Sequence, residues 1–152
     1  KICQDKRPIR RAFIEHFEEP IYFGVHGGIK KFYGLEPEVE YPATLDHIVA
    51  GVGGWLTGTL AGVLEARGVS VAPGQLSADV EGDIEEVNSK PVITQIRVRY
   101  FLKNISQEQR KAAERALSIH EDGCPAAVSV KRGIDIKWSC DFELDEWEGV
   151  YL

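Results

Sequence analysis

The chain has 152 residues, of which 43% are apolar and 28% charged, an ordinary balance for a soluble globular protein. That length predicts a single domain, 1–152, with a core large enough to need no disulfide or metal staple. The net charge of −6, with its basic residues scattered, excludes a large basic face for nucleic acid. The three cysteines, Cys3, Cys124 and Cys140, form no CxxC pair, which argues against a disulfide framework and fits a reducing cytosol. Residues 1–11 are charged and lack the apolar run of a secretory leader.

In chain order, Pro8 and Pro20 bracket a short helix predicted over 8–18, a helical extension within the N-terminal residues 1–19. Two β-prone runs flank Val25-His26-Gly27-Gly28, so 21–34 reads as a hairpin. Residues 35–42, with two prolines and several acids, form a loop. The stretch 44–67 is apolar nearly all round and reads as a helix in the centre of the core. Its segment 48–64 carries no charge, but it sits at the short limit of the roughly 17–25 residues a membrane span needs. It is rich in Gly and Thr, and nothing else in the chain is membrane-like, so no membrane association is expected. Gly54, Gly58 and Gly62 recur every four residues along it. Each costs about 1 kcal/mol relative to alanine, which implies another backbone packed close along that stripe. Gly68 is placed as its C-terminal cap.

Strands follow at 75–84 and 93–102, joined by a polar connection. Leu76, Ala78 and Val80 alternate on the first, and Ile96, Val98, Tyr100 and Leu102 on the second, with Arg97 and Arg99 on the other face. This period predicts an antiparallel sheet with one face solvated or facing a partner. Ser106 and Gln109 form a capping box that opens a helix running to about 119, its inner side supplied by Ala112, Ala116, Leu117 and Ile119. Gly123-Cys124-Pro125 breaks it, and 126–133 reads as a further short turn of helix. Residues 134–144 alternate without a fault, the clearest strand in the chain. The tail 145–152 extends that strand or crosses to a partner.

The order of these elements resembles the OsmC/Ohr family, the osmotically inducible and organic hydroperoxide resistance proteins. The resemblance covers roughly residues 20–145. It rests on Leu45-Asp46-His47-Ile48-Val49-Ala50 leading to Gly54-Trp55-Leu56-Thr57, on Ala66-Arg67-Gly68-Val69, on Val80-Glu81-Gly82-Asp83, and on His120-Glu121-Asp122-Gly123-Cys124-Pro125 before the last strand. It implies an α+β fold with antiparallel sheets packed on two central helices, an intertwined homodimer, and a redox site at the subunit interface. In active relatives one cysteine on the first central helix attacks the peroxide, and a second, in the Cys-Pro turn, closes a disulfide with it. Cys124 matches the second position. The first falls on Trp55, and no cysteine lies anywhere in 44–67. The arginine and glutamate that the organic-peroxide branch sets beside its thiol find no match here.

Cys124 is therefore the one catalytic candidate, because a thiolate is the reactive form and a helix start lowers its pKa. Pro125 fits the first position of a following helix and places Cys124 at the cap. The competing reading is a small apolar residue filling a turn. Trp55 is either a wall of a ligand pocket or a core tryptophan. His120 and Glu121 either activate the thiol or bind a polar group, or they lie at a solvated helix end. Cys140 reads as structural and Cys3 as mobile. His16, His26 and His47 show no metal-ligand spacing with the cysteines, and no GxxxxGK[ST] loop occurs, so neither metal nor cofactor is expected. The expectation is a cytoplasmic homodimer with lost or altered peroxidase activity and a small-molecule pocket at its interface, near Trp55 and Cys124, for an apolar or peroxidic ligand. The alternatives are a one-cysteine thiol peroxidase that uses Cys124 with an external reductant, and a structural or interaction dimer without a ligand.

Overall fold

A computed structural model describes residues 1–144. The tail 145–152, with the expectation attached to it, lies outside the described residues. The chain forms two compact units, residues 1–48 and the chain from Val49 onward.

The first unit holds a three-stranded antiparallel sheet in the order β1 (Ile2–Gln4), β2 (Arg10–Ala12), β3 (Ile21–Phe23), followed by the short helix α1 (Gly27–Phe32). The helix expected over 8–18 does not form. An isolated helix of that length is marginal, and β2 instead pairs with strands on both sides, with the Arg11 guanidinium clasping Asp5 at 2.7 and 2.9 Å. The hairpin expected at 21–34 is also corrected. Its first run is β3, but the second becomes α1, because adjacent Lys30 and Lys31 break the strand period and suit a helix C-terminus. Lys30 is tied to Glu40 at 2.8 Å. Asp46 accepts hydrogen bonds from the Ala43 amide (2.6 Å) and the His26 ring (2.7 Å), which secures the entry to the next helix.

That helix, α2 (Thr44–Glu65), runs on into the second unit and is long and apolar enough to cross a membrane. It is not buried all round. Val49, Val52, Gly53, Leu56, Leu60 and Leu64 form one buried stripe, spaced as a helix period requires. Gly51, Gly54, Trp55, Gly58 and Gly62 make up an exposed face. The close backbone approach is real but lies at other glycines. A Cβ on Gly53 would fall inside contact distance of both Val80 methyls, and one on Gly82 would meet Val49 Cγ2 at 2.5 Å, whereas Gly54, Gly58 and Gly62 have open space. Gly68 (φ +75°) ends the helix, and the Val69 amide reaches back to the Leu64 carbonyl at 3.1 Å.

α2 lies on a second sheet, ordered β4 (Leu76–Val87), β5 (Lys90–Ile105), β6 (Asp135–Leu144). β4 and β5 are antiparallel and longer than their alternation suggested. The polar connection is strand except for a two-residue turn at Asn88 (φ 52°) and Ser89 (φ 60°), the left-handed pair a tight hairpin needs. β6 pairs with β5 in parallel, which corrects the antiparallel expectation. Two helices, α3 (Gln107–His120) and α4 (Pro125–Val130), separate these strands, and such a crossover returns the chain in the same direction. Ile96, Val98, Tyr100 and Leu102 are buried on the helix side of the sheet.

The capping box on α3 forms as expected, with the Ser106 side chain taking the Gln109 amide and Gln109 taking the Ser106 amide. Removing the first of these bonds in Ser106→Ala should lower the unfolding free energy by about 1 kcal/mol, read as a shift in the urea midpoint at constant slope.

Candidate functional site

The inner face of α3 is Ala113, Ala116, Leu117 and His120, not Ala112 and Ile119 as expected; Ile119 points outward. Positions 113, 116, 117 and 120 are the i, i+3, i+4, i+7 set, so the turn that buries Leu117 also buries His120. The solvated reading of this residue is therefore corrected: His120 is 0% exposed.

Its ring is fully engaged. The Leu117 carbonyl, 2.7 Å from Nδ1, can only accept, so Nδ1 carries the proton. Nε2 then accepts the Tyr100 hydroxyl proton at 2.9 Å. The imidazole also stands edge-on to Tyr100 and Trp138, with centroids 5.3 and 5.4 Å away. Burial pushes the His120 pKa down, against smaller upward pulls from the Leu117 carbonyl and Glu121. Both ring nitrogens are occupied, so His120 has no lone pair left to activate a thiol in this arrangement.

Four residues on, Cys124 caps α4 with Pro125 at the first helical position, the local geometry its sequence predicts. Its side chain makes no capping bond, and it is 0% exposed. The turn is closed by the Cys124 amide on the Glu121 carbonyl (3.1 Å). Glu121 turns to Lys131 at the C-terminal end of α4, which it holds at 2.7 Å, and Asp122 lies 3.5 Å from the same ammonium. This pair holds Lys131 in its charged form. Lys131 was not singled out from the sequence. Its one signal was a cation ten residues beyond an acid across a Gly-Cys-Pro break, which is too common to be read as a contact.

Trp55 is on the exposed face of α2, with 55% of its surface accessible, so the core reading does not hold in the single chain. The α2 residue beside the Cys124 turn is Thr59, one turn further along: a Cβ on Gly123 would stand 4.0 Å from its methyl. The described residues contain a cavity of about 380 Å³, but it holds neither Trp55 nor Cys124. It lies on the other side of the sheet among Asp79, Glu81, Arg97, Arg99, Lys137 and Ser139. Arg97 there pairs with Asp83 and with Glu81, Arg99 with Asp141 and Lys137 with Asp135, so each cation is already matched.

Cys140 is half-buried on β6, opposite Tyr100. Burial, assisted by Asp141, pushes its thiol up to about 11. Its alkylation by iodoacetamide should therefore stay slow at neutral pH and accelerate only as pH approaches that value. A Cys140 as fast as a free peptide thiol at neutral pH would contradict this assignment. All three cysteines are free thiols. No group of His, Cys, Asp and Glu among the described residues is arranged to hold a metal ion.

A mixed sheet carrying two long helices, with a cysteine–proline turn beside the first of them, defines an α+β protein of the OsmC type. The chain belongs to the OsmC-like protein family, whose profile matches residues 38–139. Solved structures share the fold over nearly the whole chain. An OsmC-like protein from Mycoplasma pneumoniae superposes with a TM-score of 0.70 at 11% identity, covering 94% of each chain. The organic hydroperoxide resistance protein OhrB of Bacillus subtilis gives 0.68 at 11% identity, covering 93% of this chain and 96% of its own. A hypothetical protein from Aquifex aeolicus gives 0.70 at 14% identity, covering 96% of each. No curated protein matches the sequence.

Proposed function

We propose that this OsmC-family chain is one OsmC-like domain that forms a homodimer through the exposed face of α2. It holds a small apolar or peroxidic ligand beside Trp55, and the two-cysteine peroxidase chemistry of its relatives is lost. The observation that carries this reading is the exchange of exposure between the two family positions. Where a nucleophilic cysteine would stand, a 55% exposed indole projects from α2; where its partner would stand, the Cys124 thiol is wholly covered. An indole cannot attack a peroxide, but it offers a flat apolar wall. The flank of that wall is Gly51, Gly54, Gly58 and Gly62, each with open space above it, a surface smooth enough for a second α2 to lie close. His120 and Glu121 support the turn that carries Cys124 and do not themselves reach the ligand. The free thiols fit a protein of the cytosol.

The one-cysteine peroxidase reading is disfavoured by the burial of Cys124, since neither a hydroperoxide nor an external thiol reaches a covered sulfur. A ligand-free structural dimer shares the same helix face and differs only in its response to small molecules. The distinguishing experiment is fluorescence of a Trp138→Phe, Trp147→Phe variant, in which Trp55 is the sole indole. Titration with short-chain alcohols and with cumene hydroperoxide should shift or quench its emission saturably, and an emission unchanged up to their solubility limit would favour the structural dimer.

A further inference from the structure

We infer that His120 is an acid-operated latch: neutral, it pins the end of α3 to the sheet and keeps Cys124 covered; protonated, it lets the 120–125 turn open and exposes the thiol. The inference is independent of the function proposed above, because it concerns only access to Cys124.

Neutral His120 joins three elements. Its Nδ1–H is spent on Leu117 of α3, its Nε2 lone pair on the Tyr100 hydroxyl of β5, and its ring edge on Trp138 of β6. A second proton would have to sit on Nε2, where the phenol proton now points. The phenol would then have to turn and accept, leaving its own proton facing the interior; among the described residues His120 is its only hydrogen-bond partner. The new charge would also have no hydrogen-bonded counter-ion, only the weaker pull of Glu121. Of the groups facing it, Glu121, just past the end of α3, is committed to Lys131, just past the end of α4, at 2.7 Å. Tyr100 on β5 keeps its proton more firmly than usual because of burial and the nearby Cys124, Cys140 and Glu121. Cys140 on β6 keeps its proton as well. Opening to water is the way to relieve a buried, unpaired imidazolium.

The opening is local because few other polar contacts tie the turn to the sheet. Beyond the latch its hydrogen bonds are the Cys124 amide on the Glu121 carbonyl and the Val128 amide on the Cys124 carbonyl, and its ion pairs are those of Glu121 and Asp122 with Lys131. Protonation favours the state in which His120 titrates near its ordinary value. The open population should therefore grow by up to roughly tenfold per pH unit below about 6.5, and no such growth occurs above it.

The test uses the full chain with Cys3→Ser and Cys140→Ala, leaving Cys124 as the only thiol. Its labelling by dithiodipyridine, a reagent that remains reactive towards thiols in acid, is measured from about pH 7.5 to pH 5 and divided by the rate of a free cysteine peptide. The expected result is a low normalised rate at neutral pH that rises about tenfold or more over the acid range, and loss of that rise in His120→Gln. Should His120→Gln fail to fold, ring-nitrogen NMR of the parent replaces it: His120 should be the Nδ1–H neutral tautomer at neutral pH, and its protonation should track the labelling rise. A normalised rate independent of pH, a rise unchanged in His120→Gln, or His120 protonation without a change in labelling would overturn the inference. So would fast labelling at neutral pH, which would mark an exposed or ion-paired thiol.

Discussion

Gly53→Ala should destabilise the fold by about 1–3 kcal/mol, although alanine is the better helix former by about 1 kcal/mol. The added methyl would stand 2.7 Å from Val80 Cγ1 and closer still to Cγ2, inside the space β4 already fills. Those atoms are part of a packed sheet face, so the helix must lift or Val80 must leave its rotamer. Truncating the obstacle isolates the cause. In a Val80→Ala background the same substitution should be neutral or favourable, giving a coupling of about 2 kcal/mol in a double-mutant cycle of urea unfolding. Equal costs of Gly53→Ala in both backgrounds would mean that α2 does not approach β4 at this point.

Gly58→Leu addresses the opposite side of the same helix and should have the opposite signature. Nothing stands within 4 Å of a Cβ there, so the single chain has room for the side chain. Leucine should raise intrinsic helix stability by up to about 1 kcal/mol. If two copies meet along this face, however, the substitution enters the interface twice. Overpacking of about 1–3 kcal/mol per copy then weakens association by about 30-fold or more. Sedimentation velocity across a dilution series should show wild type dimeric and Gly58→Leu shifted to monomer, with unchanged far-UV circular dichroism. Identical sedimentation of the two proteins would remove this face of α2 from any interface.

These two glycines also show where sequence reading stops. The helix itself was legible from its unbroken apolar run and its glycine cap, and α3 from its capping box. The spacing of glycines correctly announced a close approach. It could not tell which glycine makes it, because Gly53 and Gly54 are neighbours in sequence but lie on different sides of the helix. Which side faces the sheet is decided by Val80 and Gly82 on β4, a tertiary contact. The same holds at the site. Cys124 at a helix cap was written in Gly-Cys-Pro, but its complete burial depends on the elements around it. His120 was misjudged because a histidine near a helix end is usually wet; helix periodicity from Ala113 and Leu117 would have placed it inside, yet its partner Tyr100 comes from β5. The parallel pairing of β6 was hidden for a related reason: alternation reports which residues share a face, never which way the neighbouring strand runs. In the first unit, three-residue strands carry too little pattern to outweigh two prolines that suggest helix boundaries.

The proposed function holds that this OsmC-family fold carries no thiol peroxidase activity, with Trp55 exposed at one family position and Cys124 covered at the other. Consumption of tert-butyl hydroperoxide by purified protein with excess dithiothreitol, wild type beside Cys124→Ser, tests it most directly. The two proteins should consume peroxide at the same background rate. Turnover by wild type that Cys124→Ser abolishes would contradict the account and make Cys124 a working one-cysteine peroxidase centre.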